Sequence, residues 1–275
     1  MASLLLWLFS CLRDRASRRS LVFWVALLSL GYTFCFMGLK ALPYIYYSRW
    51  SSFDSRSDDL SGMWIDNWSR NDDPAQIVAP VKKLNPKLLL VAGTDLENLA
   101  SPLRDLGFGY IVNVDPVRQS SVIIASTLPF LPERITNLGV NSWPGGVFSL
   151  GLSDGAEIQL GVIALKRSSD QESFERNRVT ARRLSSIMRD SDKARLVVGQ
   201  FNATPFSQFV AVYSEQARMN SLMFGRMSLG TLNALASKDI SSTNFIRIEI
   251  PGRSGDAFWF QLRMPVTEPR YKKLS

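Results

Sequence analysis

Two kinds of hydrophobic pattern divide this chain. From Leu21 to Leu39 there are 19 residues without a charge, ending at Lys40. At 1.5 Å per residue such a helix is roughly 28 Å long, about the thickness of a bilayer's hydrocarbon core. The pattern therefore predicts one transmembrane helix over residues 20–42. A stretch rich in Ser, Asp and Arg, residues 43–61, reads as a linker. From about Gly62 the pattern changes to short apolar runs alternating with amphipathic segments, as expected of a folded domain over 62–275.

Within that domain the runs Leu88–Val91, Ile111–Val114, Ser121–Ser126 and Leu196–Val198 predict strands. Val147–Leu152 and Glu157–Leu165 flank Ser153-Asp154-Gly155 and predict a hairpin. Phe245–Ile250 and Ala257–Met264 predict two late strands. Helical periodicity marks Pro74–Leu84, Leu96–Leu106, Ser173–Asp190 and Ser207–Ala217. Strands separated by helices, with hairpins among them, imply an α+β sandwich of two packed sheets flanked by helices.

The N-terminal segment, residues 1–19, carries Arg13, Arg15, Arg18 and Arg19 ahead of the long apolar run. Such a cluster stays on the cytoplasmic side, so the C-terminal domain is expected outside the cytoplasm, in a bacterial cell the periplasm. Tyr44, Tyr46, Tyr47 and Trp50 follow the run, where an interfacial aromatic belt belongs. Leu4–Leu12 is too short to span; it suits an interfacial helix with Trp7 near the headgroups. No Ala-x-Ala-like cleavage site follows the run, and the run is long for a signal peptide, so the anchor is expected to be retained.

Composition narrows the chemistry. Histidine is absent, which excludes His-based triads, Cys/His dyads and His-containing zinc sites. The two cysteines, Cys11 and Cys35, both precede the domain, which therefore has neither a disulfide framework nor a thiolate metal site. Net charge is +8, of which +4 lies in residues 1–42, so the rest is only mildly basic and nucleic acid is not an expected partner.

The stretch Val197-Val198-Gly199-Gln200-Phe201-Asn202-Ala203-Thr204-Pro205-Phe206-Ser207 reads as a buried strand running into a polar turn. It closely resembles the Gly-Asp-Phe-Asn-Ala-Thr-Pro-x-Ser signature of the endonuclease/exonuclease/phosphatase superfamily, and the resemblance extends over about residues 62–268. It implies two face-to-face sheets and a site where an Asp and an Asn stand beside a divalent metal and the scissile phosphate. Asn67, in Trp64-Ile65-Asp66-Asn67-Trp68, corresponds to the family's early asparagine. With one exception, the family's remaining site residues are replaced. Gln200 stands for the Asp, while Asn202 is kept. Leu88–Val91 runs into Ala92-Gly93 where the family has Gln-Glu, and Val162-Ile163-Ala164-Leu165 lacks the family's His. Matching the closing Ser-Asp-His-x-Pro-Val on Pro265-Val266 puts Leu262 and Arg263 at the Asp and His positions.

The vestigial site expected from this resemblance is thus Asn67, Gln200, Asn202 and Arg263, with no metal, no cofactor and no catalytic residue. Hard divalent ions require carboxylate oxygens, and water activation requires a base. Asp66, Asp95 and Glu97 are the nearest acids from which a displaced site would have to be built. Asp95 and Glu97 also fit ordinary acid enrichment at a helix start. The reading is a non-catalytic, membrane-anchored subunit or docking module. Its expected partners are membrane lipid and an integral membrane complex of respiratory, photosynthetic, secretion or envelope type. Two alternatives stand beside it: an active phosphoesterase with a displaced site, and a module binding anions or lipid headgroups through Arg263 and an Arg182/Arg183 face.

Overall fold

A computed structural model describes residues 24, 25, 27–33, 35, 60–66, 73–94, 96–114, 122–131, 135–138, 143–153, 155–165, 169–203, 207–222, 232–237, 240–248 and 257–264. The chain divides into two units, residues 1–50 and 51–275. In the first unit, residues 24, 25, 27–33 and 35 are helical and exposed, and the Thr33 hydroxyl donates to the Ser29 carbonyl at 2.8 Å. No helix among the described residues is long and apolar enough to cross a membrane. Most of the 20–42 segment lies outside them, as do Trp7, Tyr44, Tyr46, Tyr47 and Trp50.

The second unit is a four-layered α+β sandwich. One sheet holds β1 (Leu60–Asp66), β2 (Leu88–Ala92), β3 (Tyr110–Val114), β4 (Val122–Ser126), β11 (Ser241–Ile248) and β12 (Ala257–Arg263), in the order β11-β12-β1-β2-β4-β3. The other holds β5 (Thr136–Asn137), β6 (Gly145–Gly151), β7 (Glu157–Ala164), β8 (Ala194–Gln200), β9 (Asn220–Leu222) and β10 (Leu232–Ala236), in the order β5-β6-β7-β8-β10-β9. Each sheet has one parallel pair at its centre, β1 with β2 and β7 with β8.

Side-chain alternation builds the layers. Leu60, Trp64, Leu88, Leu90, Leu160, Val162, Leu196 and Val198 point inward and form the core between the sheets. Met63, Ile65, Leu89 and Val91 point outward beneath the helices α1 (Pro74–Leu84) and α2 (Ala100–Asp105). On the other sheet Ile163 and Val197 lie beneath α3 (Gln171–Arg189) and α4 (Gln208–Ala217). The central strands therefore read as continuous apolar runs because both faces are covered.

Local chemistry fixes the helix ends. The Asp73 side chain accepts from the Ala75 N–H at 3.0 Å, Pro74 opens α1, and Asn85 closes it in the left-handed region with φ 44°. Arg195 ties β8 to two helix ends: its Nη1 donates to the carbonyls of Met188 (2.9 Å) and Ala217 (3.0 Å).

Three departures from the sequence reading have physical reasons. β1 begins at Leu60, inside the segment read as a linker, because Leu60 packs in the inter-sheet core and pairs with Leu262. α2 begins at Ala100 rather than Leu96: Pro102 is tolerated only within a first turn, and Leu96 instead closes a turn by accepting from the Leu99 and Ala100 N–H groups. β5, β9 and β10 carry little strand propensity of their own, and β10 is held by its antiparallel register on β8.

Candidate functional site

The inward rows of β1 and β8 end at one place. Counting by twos from Leu60 and Trp64 leads to Asp66; counting from Leu196 and Val198 leads to Gln200. There the two sheets touch through polar groups, the Gln200 Nε2 donating to Asp66 Oδ2 at 2.9 Å. Gln200 is 6% exposed. The register sets Ala92 beside Asp66 and Ala164 beside Gln200, and Val122 beside Ala92. Among the described residues, the floor at this end of the sandwich therefore carries one carboxylate, one amide and three small or apolar side chains.

The turn after β8 is held by the strand beside it. Leu165 is completely buried, and both its backbone groups engage the turn motif: its N–H donates to the Gln200 carbonyl at 2.8 Å, and its carbonyl accepts from the Asn202 side-chain amide. Asn202 has φ 49°, a left-handed conformation that asparagine tolerates better than most residues. Phe201 turns outward, where its ring meets Tyr213 of α4 edge-on at 5.3 Å. The Ser207 hydroxyl accepts from the Val210 N–H at 3.3 Å and caps α4. Asn202 and Ser207 thus hold the strand-to-helix junction.

Of the four residues expected at the vestigial site, the fold brings Gln200 and Asn202 together. Asn67 lies outside the described residues, immediately after Asp66. Arg263 is not part of this cluster. β12 runs antiparallel to β1, so its Ala257 end lies beside Ile65, whereas Leu262 pairs with Leu60 and Arg263 with Ser241. That is about 20 Å along the strand from Asp66. Matching on Pro265-Val266 places the closing motif at the wrong end of the strand; the segment that enters β12 beside the site is residues 249–256, outside the described residues. Asp66 is the site residue whose inward placement the strand's alternation could have shown.

Among the displaced acids, Asp95 lies outside the described residues and Glu97 is exposed in the turn before α2. Gly93 follows β2 with φ 78°, where a side chain would cost about 1–2 kcal/mol. The arginine face is largely occupied. Arg183 donates to the Leu138 carbonyl at 2.7 Å, Arg176 pairs with Glu172 and lies over the Trp143 ring, and Arg178 pairs with Glu175. Arg182 is exposed.

A divalent cation of the kind the superfamily uses needs several hard oxygen donors, mostly anionic. Among the described residues one carboxylate, Asp66, faces the site end, and it accepts from an amide. Among the described residues no three acidic, cysteine or histidine side chains cluster. The donors described at this end, Asp66 and Gln200, are by themselves too few for such an ion; Asn67, Asp95 and residues 249–256 lie outside the described residues.

No protein-family model matches the sequence, and no curated protein matches it. Solved structures share its fold. The catalytic domain of human Nocturnin, solved with a bound sulfate anion, superposes with a TM-score of 0.61 at 12% identity, covering 77% of this chain and 95% of that one. ANGEL2, a 2',3'-cyclic phosphatase solved with adenosine-2',3'-vanadate, gives 0.58 at 10% identity over 76% of this chain and 96% of the other. An endonuclease/exonuclease/phosphatase family protein from Bacteroides thetaiotaomicron gives 0.55 at 10% identity over 76% and 98%. The domain has the endonuclease/exonuclease/phosphatase fold.

Proposed function

We propose that this chain is a membrane-anchored, catalytically silent domain of that fold, serving as a subunit or docking module of a larger membrane complex. The observation that carries the reading is the Asp66–Gln200 hydrogen bond. An amide sits where the resembled family has a second acid, and it supplies the N–H that satisfies the remaining carboxylate. Leu165, apolar and buried, closes the neighbouring strand end where the resembled family has a histidine.

The anchor rests on residues 20–42. Trp24, Leu28, Leu30 and Tyr32 are helical yet half or more exposed, an arrangement suited to lipid or a partner's helices. The Thr33 hydroxyl is satisfied within the helix, as an apolar surrounding demands. With the arginine cluster inside, the domain lies outside the cytoplasm. Its partner is an integral membrane assembly, with respiratory, photosynthetic, secretion and envelope complexes as the classes to test.

Extraction in mild detergent with a C-terminal tag tests this. The expected result is a defined complex in which this chain and its partner subunits keep a fixed stoichiometry through size exclusion. A lone, monodisperse chain contradicts it. One observation favours a second reading, a phosphoesterase with a displaced site: Asp66 does stand at the site end of β1. Magnesium- or manganese-dependent phosphodiester turnover that Asp66→Asn abolishes is the result that selects it.

A further inference from the structure

A second concavity lies at the other end of the sandwich. β7 begins at Glu157 and ends at Ala164 beside Gln200, so the start of β7 is about 23 Å along the strand from the site described above. α3 covers the middle of β7: a Cβ on Gly161 would lie 3.0 Å from Leu184 Cδ1 and 3.3 Å from Met188 Sδ. The helix stops one row further on, where Arg195, paired in register with Gln159, holds the Met188 carbonyl. Around the start of β7 a cavity of about 450 Å³ opens, within the size range of small-molecule sites.

Strand alternation decides which side chains the cavity offers. Ser149 of β6 and Glu157 of β7 lie on the same outward face as Gly161, and Thr136 of β5 joins them through its pairing with Val147. Gly151, opposite Glu157, has no side chain and leaves the floor open up to Pro129, which with Leu131 makes the facing wall. Leu131 is 44% exposed. Phe130 and Phe148 turn into the inter-sheet core and Gln159 Oε1 is closed to solvent, so none of these takes part.

Lys193 crosses this face. It donates to Ser149 Oγ at 3.0 Å and pairs with Glu157, and the two charged side chains remain 38% and 53% exposed. An exposed pair of this kind is weak, so both groups can turn to a ligand at little cost. Together they carry no net charge, which gives an ion no advantage. They do set a carboxylate acceptor beside an ammonium donor, the complement of two adjacent hydroxyls. One hydroxyl donates to Glu157 while its neighbour accepts from Lys193, and the charges strengthen both bonds. The Ser149 and Thr136 hydroxyls can donate or accept beside them. Leu131 supplies an apolar contact for the C–H face of a ring. We infer that this cleft binds a neutral saccharide through a vicinal diol. The inference is independent of whether the domain docks on a membrane complex.

The test is saturation-transfer NMR on the full chain in an amine-oxide detergent, which has no sugar headgroup, with the methyl pyranosides of glucose, mannose and galactose. The control probe is 2-(hydroxymethyl)tetrahydropyran, the same ring with a single hydroxyl. Expected is saturable transfer to at least one glycoside and none to the control. Glu157→Gln and Lys193→Met should each weaken that glycoside about tenfold, one charge-assisted hydrogen bond. Absence of saturable transfer to all of the glycosides overturns the proposal, as does equal transfer to the control probe. So does glycoside binding that neither substitution weakens. The comparison with the control probe holds even if a variant fails to fold.

Discussion

At the scale of single residues, the site end of the sandwich is a place where polar groups satisfy one another. Gln200 joins the sheets through Asp66, and Asn202 holds Leu165. Replacing Gln200 by Leu removes a donor from a partly buried carboxylate, and stability should fall by about 1–3 kcal/mol in urea unfolding. Gln200→Glu should cost more, because it sets a second negative charge against Asp66 at hydrogen-bond distance. Tyr213 gives the opposite sign. It is buried, its hydroxyl has no partner among the described residues, and burial pushes its ionisation well above the ordinary value. Tyr213→Phe keeps the ring against Phe201 and drops the unpaired group, so the unfolding midpoint should rise, by about 1 kcal/mol in stability.

At the scale of elements, apolar runs proved the readable part. Leu88–Val91 and Leu196–Val198 are buried on both faces, and long apolar runs announce such strands without help from tertiary context. Helix α1 was legible to its ends because Pro74 and Asn85 are local signals. β10 was not, since Leu-Asn-Ala-Leu-Ala has weak strand propensity and owes its form to β8. Of the site, the turn motif was legible, but the Asp66–Gln200 contact joins residues far apart in sequence, and only inter-sheet packing creates it. Arg263 was misplaced because a two-residue match does not reveal which end of a strand it falls on. Two predictions belong here. A Cβ on Gly199 would lie 2.0 Å from the Ile163 carbonyl oxygen of the neighbouring strand, so Gly199→Ala should force β7 and β8 apart and cost about 3 kcal/mol or more. Asp170 caps α3, and the Ser173 N–H, then the Ser169 and Ser173 hydroxyls, hold its carboxyl below the usual 3.8. A lowered folded value means stability that is present above pH 3.8 and lost as pH falls through that lowered value. Asp170→Asn should flatten this acid-side slope in pH-dependent thermal melts.

At the scale of the whole molecule, the fold is one shared with phosphoesterases, and at its site end the described residues bring together Asp66 and Gln200. Superfamily-type hydrolysis combines a metal held by carboxylates with an activated water, and general-base assistance alone contributes about 10²–10⁴-fold. The most direct test is phosphodiester turnover by the purified full chain, using bis(4-nitrophenyl) phosphate with magnesium or manganese in excess. The account predicts no metal-dependent rate above the protein-free control. Metal-dependent turnover that disappears in Asp66→Asn would contradict it.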